Sequence, residues 1–215
     1  MRVAVVTGRH PFDVAGFHAL FRSFEGWDCI IQHMEDWTFT PKEVRETYDV
    51  VVFYNFHADV PPSEGAPWYD SQIGPALGQL GETRQGIVVL HHAILAFPTF
   101  DVWTELVGVE DRSFGYHLGQ QVTVNVADGE HPIARGLGAW TMTDETYTMS
   151  DPGGDSRILL TTEHPLSMRS LAWTRRFRES RVLCLQCGHD NDAYSDPSFR
   201  QVLGRGIRWC AGQLD

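Results

Sequence analysis

The chain is short of cysteine, of positive charge and of long apolar runs, and each shortage excludes something. Only four cysteines occur in 215 residues, Cys29, Cys184, Cys187 and Cys210. A chain of this length buries roughly 70% of its unfolded surface, so it needs no disulfide or metal staple to fold. Seventeen basic residues against 28 acidic ones leave a net charge of −11, which argues against nucleic acid and anionic membranes as partners. No apolar run approaches the length of a membrane span. The chain opens on Arg2-Val3-Ala4-Val5-Val6-Thr7-Gly8, a short strand and turn rather than a secretory leader, and the expected compartment is the cytoplasm.

Two familiar catalytic signatures are also missing. The first turn, Gly8-Arg9-His10-Pro11, has one glycine and a proline that removes a backbone donor, so it makes no phosphate cradle. No G-x-S-x-G elbow occurs. Cys184 and Cys187 have C-x-x-C spacing, but Arg181 to Gln186 reads as a strand. Residues three apart on a strand face opposite ways, so the pair does not share a metal.

What is present is a regular alternation of strands and helices. Strand-like runs at Val3–Val6, Cys29–Gln32, Val50–Tyr54 and Ile87–Leu90 alternate with helical stretches at Val14–Phe24, Pro41–Thr47 and Ile73–Leu80. That order predicts a parallel sheet with right-handed crossovers. The second half is richer in strands: Gln121–Ala127, Arg157–Thr162, Leu171–Thr174 and Arg181–Leu185, closed by an amphipathic helix over Ser198–Gly212. No repeat or linker divides residues 1–215, which read as one domain. The segment His57 to Gln72, with Pro61-Pro62, Gly65 and Pro67, predicts a long binding loop whose Trp68 and Tyr69 are placed to stack on a sugar or to cover the core.

The strand Val88-Val89-Leu90 runs directly into His91-His92. In open α/β sheets ligands gather at the carboxyl ends of parallel strands, and histidine exchanges protons near neutral pH or holds a metal. Four more polar clusters stand out: His10 after the first strand, Asn55-Phe56-His57 after the third, Asp144-Glu145-Thr146-Tyr147, and Gly188-His189-Asp190. His10, His92 and His189 with Glu145 offer donors that zinc or manganese accept, although none has the i, i+4 spacing that marks a metal site.

Taken in order, these pieces resemble the ThuA-like (trehalose utilisation) family of the class I glutamine amidotransferase-like superfamily. The resemblance is carried by His10-Pro11-Phe12, Leu90-His91-His92-Ala93, His131-Pro132-Ile133, Asp144-Glu145-Thr146-Tyr147 and Gly188-His189-Asp190 through Tyr194 and Trp209. It implies a flavodoxin-like α/β core, a mainly parallel sheet flanked by helices, with an added β-rich segment in the second half. Two departures stand out: Arg178-Glu179-Ser180-Arg181 replaces a glycine-rich turn, which predicts a longer or differently shaped hairpin, and Gln186-Cys187 replaces small or apolar residues. Glutamine amidotransferases carry a cysteine nucleophile after the strand equivalent to Ile87–Leu90, where this chain has histidines. Thioester chemistry on glutamine therefore lacks its attacking atom.

The resemblance also implies a role in the use of trehalose or a related disaccharide, with a small sugar as partner and no cofactor assigned beyond a candidate zinc or manganese ion. A ketone at C3 of a sugar acidifies its neighbouring C–H bonds, which suits an isomerase or lyase working by acid–base chemistry. In that reading His92 or His189 is the base, Glu145 orients it or acts as acid, and His10 or a metal polarises the carbonyl. His57, Trp68, Tyr69, His91, Asp144, Tyr147, Asp190 and Tyr194 line the substrate. Two other readings stay open: a sugar-binding or regulatory module on a degenerate amidotransferase scaffold, and a metal-dependent hydrolase. A homo-oligomer is expected from the size and class of the chain.

Overall fold

The computed structural model of the protein describes residues 1–61 and 67–215. Strands form where the apolar runs are, because a strand covered on both faces has no use for polar residues. The first half gives β1 (Arg2–Gly8), α1 (Val14–Arg22), β2 (Asp28–His33), α2 (Met34–Phe39), α3 (Lys42–Arg45), β3 (Val50–Asn55), α4 (Ile73–Gly78), β4 (Gly86–Leu90) and α5 (Asp101–Val107). The second half gives β5 (Gly115–Val126), β6 (Trp140–Thr148), β7 (Arg157–Thr161), β8 (Ser170–Phe177), β9 (Ser180–Leu185), α6 (Asn191–Ser195) and α7 (Pro197–Cys210). Among the described residues no helix is long and apolar enough to cross a membrane.

The strands form one sheet in the order β2-β1-β3-β4-β9-β8-β7-β5-β6. The first five are mutually parallel, and the last four add in antiparallel fashion. Strand alternation sorts the core into two layers. Val3, Val5, Val50, Val52, Val88 and Leu183 pack under α1 and α7, while Ala4, Val6, Val51, Phe53, Val89 and Val182 pack under α2, α4 and α5. Cys184 lies in the second layer and Cys187 in the first, as strand alternation predicts, and all four cysteines are free thiols.

This topology brings the carboxyl ends of β1, β3, β4 and β9 to one edge. In the sheet β6 is separated from β9 by three strands. Even so, its Asp144 carboxylate accepts a hydrogen bond from Gly188 N at 2.7 Å, so the β5–β6 arm leans back across the strand ends. A register shift between His117 and Gln120 in β5 marks where that arm bends.

Several elements differ from the sequence reading. The helix expected over Pro41–Thr47 contracts to four residues, and α2 and α5, short and capped by no side chain, were not anticipated. The β8–β9 hairpin is tight rather than long: Phe177 pairs with Ser180, leaving a two-residue turn. Arg178 takes the positive φ of 51° that glycine would normally supply. Its guanidinium repays this strain by donating to Gly78 O and Leu80 O at 2.7 and 2.9 Å. In the loop expected from His57 to Gln72, residues 62–66, Pro62 and Gly65 among them, lie outside the described residues.

Gly86 is a point where the α7 backbone closes tightly on the sheet, since a Cβ there would stand 2.6 Å from the carbonyl carbon of Cys210. Gly86→Ala is expected to cost about 1–3 kcal/mol by overpacking, read as a lower urea midpoint with unchanged m-value.

Candidate functional site

β4 ends at Leu90, and the next residue turns sharply. His91 has φ 53°, a left-handed conformation that costs a residue with a side chain about 1–2 kcal/mol, and it opens a buried 3-10 helix over His91–Leu95. The turn aims the imidazole across the end of β9. There the Gln186 carbonyl accepts from His91 Nδ1 at 2.6 Å. A carbonyl only accepts, so Nδ1 carries the proton and Nε2 is the atom left to face the pocket.

Three groups meet that Nε2. Glu145 Oε2 lies 2.9 Å away, His189 Nδ1 3.2 Å and the Tyr147 hydroxyl 2.7 Å. Glu145 and Tyr147 are two apart on β6 and so share a face, and Tyr147 donates to Glu145 Oε2 at 2.7 Å. His189 Nδ1 stands 3.2 Å from the same oxygen. One carboxylate oxygen is thus the hub of two imidazoles and a phenol.

A second layer holds this geometry. Gln186 Nε2 donates to Glu145 O at 2.9 Å. Fully buried Asp144 accepts from Gly188 N, His189 N and Glu145 N at 2.7, 3.0 and 2.9 Å, which fixes the turn carrying His189. The Tyr54 and Tyr194 hydroxyls, 2.7 Å apart, both reach the His189 carbonyl from behind. Gly188 is at φ 119°, and a Cβ there would press on the Phe199 ring at 3.0 Å.

Electrostatics follow from these contacts. Burial works to raise the Glu145 pKa, but hydrogen bonds from His189 and Tyr147 and the adjoining His91 imidazole outweigh it and hold the carboxyl well below the usual range. Its bond to Glu145 raises His189 in turn, which favours their pairing as imidazolium and carboxylate. Burial keeps the Tyr147 and Tyr54 hydroxyls protonated and pushes the Asp144 carboxyl upward.

The other expected site residues lie outside this cluster. His92 is buried on the neighbouring side: its Nε2 donates to Tyr54 O at 3.2 Å, its Nδ1 has no partner among the described residues, and burial holds it neutral. His10 stacks on His92 with ring centroids 4.2 Å apart and stands 6.0 Å from His189, half-buried and also lowered by burial. These two imidazoles flank the cluster. His57 is farther along the edge, bonded through Nδ1 to Asn55 and stacked on Phe97. Trp68 and Tyr69 are 70% and 43% exposed and pack with each other and with Phe39. Asp190 is exposed and caps α6 by accepting from Asp192 N, and Tyr194 braces the His189 backbone. Gln186 was not anticipated as a site residue; its only sequence signal was an amide where the family pattern has a small or apolar residue.

A parallel α/β sheet with a strained turn after its central strand defines the class I glutamine amidotransferase-like fold, here with a histidine at the turn. The sequence matches the family model described as ThuA, trehalose utilisation, over residues 2–210, and the chain belongs to that family. Among solved structures it is similar to a ThuA-like protein from Parabacteroides merdae, with 19% identity, a TM-score of 0.73, and coverage of 99% of this chain and 91% of that one. A protein from Salmonella typhimurium described as cytoplasmic matches at 11% identity with a TM-score of 0.66, covering 98% of this chain and 99% of that one. A glutamine amidotransferase from Thermotoga maritima shares the fold at 9% identity, a TM-score of 0.58, and coverage of 97% and 98%. No curated protein matches.

His57 generates a pH prediction. Burial lowers its pKa from 6.5 to about 4, so on acidification the unfolded chain takes the proton first. The stability this supplies is complete above the unfolded value and is lost as pH falls toward the folded one, by up to about 3 kcal/mol. Urea unfolding of the wild type and His57→Gln is expected to show a steeper loss for the wild type between about pH 7 and about pH 4.5.

Proposed function

We propose that the protein acts in the cytoplasm on an oxidised sugar, a 3-keto-glycoside of trehalose or a related disaccharide, by abstracting a proton next to the carbonyl. The observation that carries this reading is the convergence of Glu145, Tyr147 and His189 on His91 Nε2, at 2.9, 2.7 and 3.2 Å, at the strand edge. Of these groups the Tyr147 hydroxyl and the raised, partly exposed His189 imidazole are donors, and they suit an oxygen on which negative charge develops. Family membership supports the substrate class.

In this reading the carbonyl oxygen at C3 sits against the Tyr147 and His189 donors. His10, neutral and partly exposed at its rim, takes the proton from C2. The C–H electron pair moves into the C2–C3 bond, and the C3 oxygen carries the resulting charge. Return of a proton elsewhere gives isomerisation; departure of the oxygen at C1, which then takes a proton, gives elimination. His92 is less suited to be the base than the sequence suggested, because Tyr54 O occupies its Nε2 and its Nδ1 is sealed from solvent. Glutamine hydrolysis is excluded from the proposal. The residue at the turn is His91, and burial raises the thiols of Cys184, Cys187 and Cys210 far out of the nucleophilic range.

Incubation with a 3-keto-disaccharide in deuterated water tests this. Deuterium at C2 or release of the second sugar is expected, falling at least ~100-fold in His10→Ala and Glu145→Gln. Binding of the keto-sugar with neither exchange nor product would contradict the proposal and leave a sugar-binding module.

A further inference from the structure

We propose that His91 Nε2, Glu145 Oε2 and His189 Nδ1 are three ligands on one face of a six-coordinate divalent transition-metal ion. This uses the same pocket as the sugar chemistry above but does not depend on it.

The first argument is a count of protons and lone pairs. With Nδ1 of His91 committed to the Gln186 carbonyl, a neutral His91 presents a lone pair at Nε2. Glu145 Oε2 presents another only 2.9 Å away. Tyr147 has one hydroxyl proton and both atoms stand 2.7 Å from its oxygen, so it satisfies one of them. Two acceptors held this close in a buried site need a positive charge beside them, either the proton that His189 Nδ1 carries in its pairing with Glu145, 3.2 Å from both, or a cation in that proton's place.

The second argument is shape. The three ligand atoms form a triangle with sides of 2.9, 3.2 and 3.2 Å. Ligands at about 2.1–2.2 Å from an octahedral ion are roughly 3.0 Å apart at adjacent corners, whereas a tetrahedral ion spreads them to about 3.5 Å. The triangle matches an octahedral face. Two histidines and one carboxylate on such a face leave the opposite positions open to water or substrate, and suit manganese or another octahedral first-row ion better than tetrahedral zinc.

The third argument is support around the ligands. A ligating histidine ordinarily donates its other ring nitrogen to a carbonyl or carboxylate, as His91 does to Gln186. Glu145 is steadied by Tyr147, and the backbone of His189 by Asp144. His91 and Glu145 are buried while the His189 side chain is 21% exposed, so the open face looks outward. The set differs from the one expected from sequence: His91 replaces His10 and His92, whose rings stack on one another beside the cluster.

The test uses the full chain stripped with a chelator and titrated with Mn²⁺, without substrate. One equivalent per chain is expected, with a rise in melting temperature of roughly 5–10 °C at a hundredfold excess over Kd. Co²⁺ is expected to give the weak visible bands of a six-coordinate ion. Glu145→Gln, which preserves shape, and His189→Ala, which alters a partly exposed ring, should each weaken Mn²⁺ at least tenfold, whereas His18→Ala on α1 should not. Absence of saturable binding of Mn²⁺ and Co²⁺ by the wild type, or equal affinity in Glu145→Gln, would overturn the site and leave a shared proton in its place. Deuterium exchange that persists in chelator would then separate this failure from that of the sugar chemistry.

Discussion

One hydrogen bond, from His91 Nδ1 to the Gln186 carbonyl at 2.6 Å, sets the chemistry of the pocket. It exists because β4 and β9 are parallel neighbours, with Leu90 level with Leu185, so the turn after one meets the end of the other. The bond fixes which nitrogen of a fully buried ring bears hydrogen, and it helps hold that residue in a left-handed conformation. Without it the ring is free to reverse its tautomer, and Nε2 no longer presents a lone pair to the carboxylate. Backbone strain at a strand end is characteristic of places where a side chain must be aimed.

The surrounding charges are arranged to tolerate burial. A carboxylate taken out of water is costly unless its lone pairs are met. Asp144 meets three backbone N–H groups, and Glu145 meets the Tyr147 phenol and the His189 imidazole. The two residues are adjacent on β6 and divide the work. Asp144 builds the turn that carries His189, and Glu145 receives His189 into the cluster. The β5–β6 arm therefore belongs to the site, although it begins at the far edge of the sheet. In the amidotransferase-like fold the turn after the central strand presents a nucleophile; here it presents a buried imidazole to Glu145, Tyr147 and His189.

Much of this architecture is legible in the sequence. Val50–Phe53 and Ile87–Leu90 are apolar at every position, as strands covered on both faces must be, and they alone imply parallel pairing and a crevice at their carboxyl ends. The C-x-x-C was readable as two unrelated core cysteines for the same reason. What could not be read was which of two adjacent histidines faces the cluster. The 3-10 turn and the positive φ of His91 rotate the pair away from simple strand alternation, and neither has a sequence signature. Gln186 was invisible because its decisive group is a backbone carbonyl. The position of β6 was hidden as well, since a strand carrying Asp144 and Glu145 into a buried site looks polar. The tight hairpin at Arg178 escaped notice because a long side chain bonded to the end of α4 replaces glycine there.

The most direct measurement is nitrogen-15 NMR of the His91 imidazole in the full-length chain, assigned by the signal lost in His91→Gln. A protonated Nδ1 across the folded pH range, with Nε2 the nitrogen that shifts when a diamagnetic divalent ion is added, is the predicted result. A ring with its proton on Nε2 and a bare Nδ1 would contradict it, because the Gln186 carbonyl would then not orient the ring.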